Sequence, residues 1–259
     1  MSNEKSQTDV VLTKDGPVAT IRFVPVSGVN IFSSRVIGAL GSVVQKVAAD
    51  PHLRFVVFRG DGKVFLAGAD ISEMSHFDED QGRVFATHGH NVFNAIEALP
   101  QITFAALNGH AMGGGCELAM ACDFRLLVKD GKIGQPETRL GLIPGWGGTQ
   151  RITRYVGLGW ARRLLFSGET ISAEQAHAIG LVDEVVASAE ELEGALQRWF
   201  KLLAPGSPAA ITRVKRALHH HDEVAEFGKC FSASDAREGT TAFLEKRKPS
   251  WAEWPPAGH

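Results

Sequence analysis

The chain has 259 residues, of which 44% are hydrophobic and 22% charged, a balance that is typical of a globular protein and excludes wholesale disorder. Its 27 Lys and Arg residues against 29 Asp and Glu residues give a net charge of −2, which argues against a protein that binds nucleic acid through bulk charge. No run of about 18 consecutive apolar residues predicts a membrane span, and three cysteines without a CxxC pair favour a reducing compartment over a disulfide scaffold.

The amino-terminal part of the chain predicts a β-hairpin and no targeting segment. Residues 1–10 are polar and include acids, unlike a signal or transit peptide, so the cytoplasm is the expected compartment. Two β-rich runs, 10–13 and 18–24, flank an Asp-Gly pair. Such a pair favours the tight turn of a hairpin, so these runs are expected to be antiparallel strands.

Buried strands and helices alternate through the middle of the chain. Ser33 or Ser34 caps a helix that ends before Pro51, since the residue before a proline avoids the helical region. The continuous apolar runs 55–58 and 102–107 are typical of strands covered on both faces. An apolar helix face separates these strands, and a glycine-rich turn, a short helix and another strand follow. This order predicts an α/β fold with a largely parallel sheet.

The last third of the chain predicts mostly helices, interrupted by one short strand at 181–186. The sequence Pro-Gly-Ser-Pro at 205–208 breaks the helical pattern and marks a candidate hinge. The predicted domains are therefore a core of residues 1–204 and a C-terminal helical region of residues 205–259. The tail, 251–259, contains prolines and is expected to be loosely ordered.

A glycine-rich turn between a buried strand and a short helix is the first candidate site. It contains three consecutive glycines, 113–115, which cost backbone entropy and so need a reason. Either the backbone approaches a ligand there, with amides at the helix N-terminus stabilising negative charge, or the turn is simply tightly packed. The chain has neither a P-loop nor a GxGxxG motif, which argues against a nucleotide triphosphatase and a Rossmann dehydrogenase.

Two glutamates stand out by their sequence neighbours. Glu117 begins an otherwise apolar helix, and Glu137 lies in a glycine-bounded loop. A carboxylate among apolar groups tends to have a raised pKa, which suits proton transfer near neutral pH. The plainer interpretations are a helix-dipole partner for Glu117 and a solvated loop acid for Glu137. Small residues around Gly68 could free another amide, whereas Asp70 fits a helix cap of the Asp-x-x-Glu type.

Five motifs, in order along the chain, resemble the enoyl-CoA hydratase/isomerase (crotonase) superfamily over roughly residues 15–250. They are AGAD at 67–70, NGHAMGGGCE at 108–117, GQPE at 134–137, LIPGWGGTQR at 142–151, and REG with AFLEKRK within 237–248. The resemblance implies a catalytic core of ββα turns wound into a spiral, followed by C-terminal helices that form trimers, which commonly pair into hexamers. It also implies an acyl-CoA thioester substrate and no separate cofactor, since coenzyme A is part of the substrate.

The resemblance further implies a role for each candidate residue. The backbone amides of Ala67 and Gly114 would grip the thioester oxygen as an oxyanion hole, in which one lost donor costs roughly 3–4 kcal/mol. Glu117 would deprotonate water, and Glu137 would protonate C2. Hydratase members keep both glutamates, so the predicted function is an enoyl-CoA hydratase, a carbon–oxygen lyase of fatty acid metabolism that reversibly adds water across the 2,3 double bond.

Contacts to the substrate are also predicted from the matching motifs. The residues expected to contact it are Gly68, Ala69, Asp70, Ile71, Met74, Lys63, Trp146, Phe243 and Lys246. Phe243 and Lys246 would come from a neighbouring subunit, and the alternative for each lysine is a solvated surface position. Plain core packing is the alternative for Ile71 and Met74. Trp146 is bulky where many members carry a small residue. It either affects the shape of the acyl pocket or packs outward or against its own loop.

Other functions stay open at this point. An isomerase, a thioester hydrolase or a hydratase of cyclic dienoyl-CoA would share these motifs. A non-catalytic protein that binds acyl-CoA or RNA is the alternative from another class, and the near-neutral charge and the two glutamates argue against it. The histidine run 219–221 is interpreted as a solvated helix end, so no metal site is expected. Neither nucleic acid nor a membrane is an expected partner.

Overall fold

Strands and helices alternate along residues 7–254, the part of the chain that the computed structural model describes. The strands are β1 (Gln7–Asp15), β2 (Val18–Ser27), β3 (Phe55–Gly60), β4 (Val64–Leu66), β5 (Ile102–Leu107), β6 (His110–Met112), β7 (Phe124–Val128), β8 (Lys132–Gly134), β9 (Thr170–Ser172) and β10 (Glu184–Val186). The helices are α1 (Ser34–Ala48), α2 (Ile71–Met74), α3 (Glu79–Glu97), α4 (Gly114–Ala121), α5 (Gly148–Ser167), α6 (Ala173–Ala178), α7 (Leu192–Leu203), α8 (Pro208–His220), α9 (Glu223–Cys230) and α10 (Ser234–Leu244). A 3₁₀ turn, Glu137–Leu140, lies between β8 and α5.

The larger of two sheets has six strands in the order β1-β2-β3-β5-β7-β10. Its first pair is an antiparallel hairpin, and its other neighbouring pairs are parallel. The smaller sheet has the order β4-β6-β8-β9, in which β8 and β9 are antiparallel and the other pairs are parallel. The predicted hairpin and the predicted α/β fold with a largely parallel sheet are both confirmed.

The large sheet is buried on both faces, as the continuous apolar runs predict. In β3, Val56 and Phe58 pack into the main core with α1, α3 and α4, whereas Phe55 and Val57 pack on the opposite face against α7. All four side chains are at most 2% exposed. Burying one side chain of this kind contributes about 1.5–3 kcal/mol, so this strand anchors the helices of both layers.

Three successive ββα units place the loops of one site side by side. In each unit a strand of the large sheet is followed by a strand of the small sheet and then by helical structure: β3-β4-α2, β5-β6-α4, and β7-β8 with the 3₁₀ turn. The small-sheet strands of these units are parallel neighbours, so their carboxyl ends meet at one edge. The loops that leave this edge carry 67–69, 113–114 and Glu137. The predicted spiral of ββα turns is confirmed.

Three helices, α8 to α10, form the C-terminal region. The break predicted at 205–208 separates α7 from α8, and Ser207 caps α8 by accepting a hydrogen bond from the N–H of Ala210 at 3.0 Å. Arg54 donates to the carbonyl oxygen of Ala204 at 2.7 Å, which ties this break to the core. Within residues 7–254, no helix is both long enough and apolar enough to span a bilayer.

Two expectations about the later part of the chain are wrong in detail. The strand predicted at 181–186 begins only at Glu184, because the N–H groups of Leu181 and Val182 both donate to the carbonyl oxygen of Ala176 in α6. The tail that was expected to be loosely ordered is packed as far as Trp254, whose ring lies edge-on to Phe55 with centroids 5.0 Å apart. The rest of the predicted tail, 255–259, lies outside the described residues.

Candidate active site

A cavity of about 470 Å³ opens where the loops of the three ββα units meet. Its walls come mainly from residues within 67–77, 82–86 and 136–146, and most of them are apolar. Two carboxylates, Glu117 and Glu137, both face this cavity. A concave apolar site with a few convergent polar groups is the usual form of a small-molecule active site.

The Ala67 amide is not available for an oxyanion hole, so this prediction is wrong. Its N–H donates a hydrogen bond to the carbonyl oxygen of Asn30 at 2.8 Å. Asn30 is held in place in turn, because its buried side-chain amide donates to the carbonyl oxygens of Phe23, Asp61 and Val64. The Ala67 N–H therefore fastens the loop after β4 to the loop before α1.

The amides of Ala69 and Gly114 are free to bind a ligand. A parallel β-bridge joins Ala69 to Phe32: the Phe32 N–H donates to the Gly68 oxygen, and the Asp70 N–H donates to the Phe32 oxygen, both at 2.8 Å. In such a bridge the N–H of Ala69 itself points away from Phe32. Within residues 7–254 neither the Ala69 nor the Gly114 N–H has a protein acceptor, and both residues line the cavity. Two unpaired amides on one wall make a candidate oxyanion hole, with Ala69 in the role predicted for Ala67.

Glu117 is held in one orientation by the loop that precedes α5. Its side chain is almost fully buried, and its Oε1 accepts hydrogen bonds from the N–H groups of Trp146 and Gly148, each at 2.8 Å. Burial and the charge of Glu137 raise the pKa of Glu117 to about 7, while these two hydrogen bonds act in the opposite direction. Glu117 is therefore able to exchange a proton near neutral pH, which a helix-dipole partner on a surface would not do.

Glu137 begins the 3₁₀ turn and reaches the glycine turn before α4. A Cβ on Gly113 would lie 3.0 Å from Glu137 Oε1, and Gly113 has a φ of 51°, a conformation that favours glycine. The side-chain amide of the fully buried Gln135, with its nitrogen placed toward Glu137, donates to both carboxylate oxygens at 2.8 and 3.1 Å. Burial raises the pKa of Glu137 to about 7. Glu137 is thus an acid facing the cavity and not a solvated loop residue.

The two glutamates are suited to hold one proton between them. The pKa of each is raised to about 7, and the charge of Glu137 is one of the causes for Glu117. An interaction between two charges is mutual, so an ionised Glu117 also disfavours ionisation of Glu137. The pair therefore loses its protons in two steps, and between these steps one carboxyl is protonated and the other ionised. One group can then accept a proton while the other donates one, beside two amides that can polarise a carbonyl.

The Trp146 indole points inward, which decides between the two arrangements left open for it. It is 3% exposed and contacts the rings of Phe32, Phe85 and Phe93 at centroid distances of 5.5, 5.3 and 5.4 Å. The indole also lies directly against the backbone of Gly114, where a Cβ would overlap with it. Trp146 therefore forms the wall of the cavity behind the candidate oxyanion hole.

Other predicted substrate contacts lie at or beside the cavity. Gly68, Ile71 and Met74 line it, with Ile71 half exposed at its rim. Asp70 does not line it, because its carboxylate caps α2 and accepts a hydrogen bond from the Ser72 N–H at 2.9 Å. The interpretation of Asp70 as a helix cap is the one that the geometry confirms.

Three predicted contacts lie outside the cavity of this single subunit. Lys63, Phe243 and Lys246 are all exposed, and none of them lines the cavity. Since Phe243 and Lys246 were expected to reach the site of a neighbouring subunit, their role stays a prediction.

Sequence reasoning missed two buried polar residues of the site, Asn30 and Gln135. Both are at most 1% exposed, and both contact groups that shape the cavity. The available signal for Gln135 was its place two residues before Glu137. Asn30 had no comparable signal, because its partners lie on strands and loops that the sequence does not bring together.

The amino-acid sequence is similar to those of known proteins over most of its length. A sequence profile described as enoyl-CoA hydratase/isomerase matches residues 13–254. The short-chain-enoyl-CoA hydratase of Clostridium acetobutylicum is 38% identical over 251 residues, which cover 93% of this chain and 96% of that protein. The crotonyl-CoA hydratase of Syntrophomonas wolfei is 39% identical over 255 residues, which cover 94% of this chain and 97% of that protein.

Solved structures agree with the sequence comparison. DspI of Pseudomonas aeruginosa matches with a TM-score of 0.86 at 33% identity, covering 96% of this chain and 99% of that one. An enoyl-CoA hydratase from Bacillus anthracis matches with a TM-score of 0.83 at 32% identity, covering 96% of this chain and 100% of that one. These chains share the fold described above over almost their whole length.

Proposed function

The chain belongs to the enoyl-CoA hydratase/isomerase family, as predicted, and we propose that it is an enoyl-CoA hydratase that reversibly adds water across the 2,3 double bond of a 2-enoyl-CoA thioester. One observation carries the proposal: Glu117 and Glu137 face the same cavity, beside the free amides of Ala69 and Gly114. The names of the two hydratase relatives support it. Hydration needs both a base for water and an acid for carbon, and this site offers one of each.

The proposed reaction uses each of these groups once. The Ala69 and Gly114 N–H groups bind the thioester oxygen and stabilise the negative charge that grows on it. The ionised Glu117 takes a proton from water as the water oxygen bonds to C3, and the protonated Glu137 gives its proton to C2. The product thereby gains one hydrogen and one hydroxyl. Glu117 is then protonated and Glu137 ionised, which is the starting state for the reverse reaction, and no further cofactor is needed.

Product masses test this proposal directly. Purified protein is incubated with crotonyl-CoA, and in parallel with a saturated and a cyclic dienoyl-CoA thioester. The expected product of crotonyl-CoA has gained the mass of one water and still carries CoA. An isomerase would leave the mass unchanged, and a thioester hydrolase would release free CoA, so either result in place of hydration rejects the proposal.

We further propose that the acyl group of the preferred substrate is short. The indole of Trp146 fills the space between α3 and the candidate oxyanion hole, and it leaves so little room that a Cβ on Gly89 or on Gly114 would overlap with it. The names of two relatives, a short-chain-enoyl-CoA hydratase and a crotonyl-CoA hydratase, also support a short acyl group. On this proposal the bulk of Trp146 ends the acyl pocket.

Replacing Trp146 by Ala should therefore extend the range of substrates. Removing the indole opens space lined by Phe32, Phe85 and Phe93 next to the cavity, and one methylene group in such a pocket is worth about 10–200-fold in selectivity. The ratio of kcat/KM for 2-octenoyl-CoA to kcat/KM for crotonyl-CoA should rise at least about tenfold. Steady-state rates with the two substrates measure this ratio.

Two further variants control for lost packing. Trp146→Phe keeps a ring in place and should give an intermediate ratio. Trp199→Phe changes a tryptophan on the opposite face of the large sheet, where it packs on Phe124 with centroids 4.6 Å apart, and should leave the ratio unchanged. A folded Trp146→Ala protein with the wild-type ratio would show that the indole does not limit the acyl chain.

We also propose that the C-terminal helices join copies of this chain into trimers or dimers of trimers. Large apolar side chains on α9 and α10, and at the C-cap of α9, are exposed in the single subunit: Val224, Phe227, Phe231, Phe243 and Leu244. Exposed apolar patches of this kind usually mark contacts between proteins. Light scattering should give a mass of about three or six times 27.9 kDa, and Val224→Glu with Phe227→Glu should lower it. A wild-type protein of 27.9 kDa would contradict the proposal.

The cellular location and the metabolic role of the protein are also proposals. A cytoplasmic location is proposed from the three cysteines without a CxxC pair, which favour a reducing compartment, and a role in fatty acid metabolism is proposed from the family.

A further inference from the structure

A buried arginine holds the loop that orients Glu117. Arg151, in the first turn of α5, is 2% exposed, and its Nη1 donates to the carbonyl oxygen of Trp146 at 2.7 Å. The N–H of the same Trp146 donates to Glu117. Gly147 has a φ of 102°, and a Cβ there would overlap with the Arg151 guanidinium. Only glycine fits at this position, so the loop is built around the arginine.

Glu97, the last residue of α3, holds this guanidinium from the other side. Its Oε2 accepts hydrogen bonds from Arg151 Nη2 at 2.8 Å and Nε at 3.2 Å, and Nη2 also donates to Asn94 Oδ1 at 2.7 Å. Its Oε1 accepts from Arg154 Nη2 at 2.8 Å and lies 3.6 Å from His219 Nδ1. Burial acts to raise the pKa of Glu97, but Arg151 and Arg154 hold it below its usual value. The Arg151–Glu97 pair is therefore charged at neutral pH.

We propose that Arg151 and Glu97 are positioning residues for hydration, because their ion pair clamps the 144–148 loop and thereby keeps the Glu117 carboxylate aimed into the cavity. Neither residue lines the cavity, so both act through the loop and through charge. The inference rests on the proposed function, since it concerns the base that this function assigns to Glu117. Arg151 is the last residue of the LIPGWGGTQR motif, and no role for it was predicted from the sequence.

The Arg151–Glu97 pair also affects the pKa of Glu117 through its charges. The groups facing Glu117 are Glu137 from the 3₁₀ turn, which raises its pKa, and Arg151 from α5, which lowers it. Cys116, its neighbour on α4, stays a neutral thiol because burial raises the pKa of that group. Glu97 partly cancels the charge of Arg151. Removing the charge of Arg151 should therefore raise the pKa of Glu117, and removing the charge of Glu97 should lower it.

The test is the pH dependence of kcat/KM for crotonyl-CoA hydration in the full-length protein. The low-pH limb of this profile reports the first proton that the pair loses, and in the reactive form this proton has left the base, Glu117. Arg151→Met should move this limb to higher pH and Glu97→Gln should move it to lower pH, each by about half a unit or more. The double variant, which removes both charges, should lie near the wild type. Unequal damage to the fold cannot produce opposite shifts.

A third variant separates charge from hydrogen bonding. Arg151→Lys keeps the positive charge but cannot bind Trp146, Asn94 and Glu97 together, because an ammonium lacks the planar fork of a guanidinium. Its low-pH limb should stay near the wild type while kcat falls about tenfold or more. The inference would be overturned if Arg151→Met and Glu97→Gln both fold and the low-pH limbs of their kcat/KM profiles do not shift in opposite directions.

A variant that does not fold and a wild-type protein that does not hydrate crotonyl-CoA have different consequences for the inference. If Arg151→Met does not fold, the other two variants test the inference. An unchanged low-pH limb of the kcat/KM profile in Glu97→Gln, or an unchanged kcat in Arg151→Lys, would overturn it. If the wild-type protein does not hydrate crotonyl-CoA at any pH, the proposed function has failed and the inference fails with it. Wild-type hydration with unmoved limbs in the variants rejects the inference alone.

Discussion

Glu117→Gln is expected to lower kcat for hydration of crotonyl-CoA by about 10²–10⁴-fold, because an amide cannot take a proton from the attacking water. The Gln carbonyl oxygen can still accept the N–H groups of Trp146 and Gly148, so the loop before α5 should keep its geometry. KM should change little, since the oxyanion hole is untouched. The loss of the enoyl absorbance measures both constants.

Exchange of the C2 hydrogens of butyryl-CoA in D₂O is the matched measurement for this variant. That exchange needs Glu137 and the two amides but not Glu117, so Glu117→Gln should retain it within about tenfold of the wild type. The split between lost hydration and retained exchange assigns the water-activating role to Glu117. If the variant hydrated crotonyl-CoA at nearly the wild-type rate, that role would belong to another group.

The same variant should also alter how stability depends on pH. Burial raises the pKa of Glu117 from its ordinary value of 4.5 to about 7 in the native state, so the native state keeps a proton that the unfolded chain has already released between these pH values. Wild-type stability therefore falls as pH rises through this window, by a contribution on the order of 3 kcal/mol. Gln cannot ionise, so denaturant unfolding at pH 5 and pH 8 should show a smaller loss in the variant.

Glu137→Gln is expected to lower kcat for hydration of crotonyl-CoA by about 10²–10⁴-fold and to remove the C2 exchange as well. The reason is that Glu137 is the proposed proton donor to C2 and also the base that would remove a C2 proton. Binding of a saturated acyl-CoA, measured by calorimetry, should persist because Ala69 and Gly114 still bind its carbonyl. A variant that exchanges C2 hydrogens normally would remove Glu137 from its assigned role.

The double replacement shows whether the two glutamates act as a unit. If they serve one reaction, Glu117→Gln with Glu137→Gln should cost little more than the more damaging single change, as is usual for groups that act together. If the two glutamates contributed independently, the fold reductions in kcat of the two single variants would instead multiply in the double variant.

Much of the architecture could be predicted because it follows from local patterns. The apolar run at 55–58 predicted a strand buried on both faces, and its four side chains do alternate between two cores. The two glutamates were also found from sequence, since each lies in a motif with few other polar groups. That they share a cavity follows from the parallel order of β4, β6 and β8, which places the ends of three distant segments at one edge.

The oxyanion donor could not be assigned from sequence, because Ala67 and Ala69 both flank Gly68. The choice between them depends on partners far along the chain: Asn30 takes the N–H of Ala67, while the bridge to Phe32 leaves the N–H of Ala69 free. A small residue in a motif indicates a close approach of backbone, but not which of two neighbouring amides faces the ligand.

The direction of Trp146 was open for a similar reason, although a signal for it existed. Phe85, Gly89 and Phe93 lie one helical turn apart on the buried face of α3, where an apolar side chain would be expected at the middle position. A glycine there predicts that a bulky group from elsewhere occupies the space. The indole of Trp146 is that group.

The most direct test is a crystal structure with a saturated acyl-CoA bound, because it locates the thioester oxygen. The distances from this oxygen to the Ala69 and Gly114 nitrogens should both be about 2.7–3.1 Å, with C2 and C3 lying between the carboxyls of Glu117 and Glu137. An oxygen that contacts neither nitrogen, or an acyl group that lies away from either carboxyl, would contradict the account.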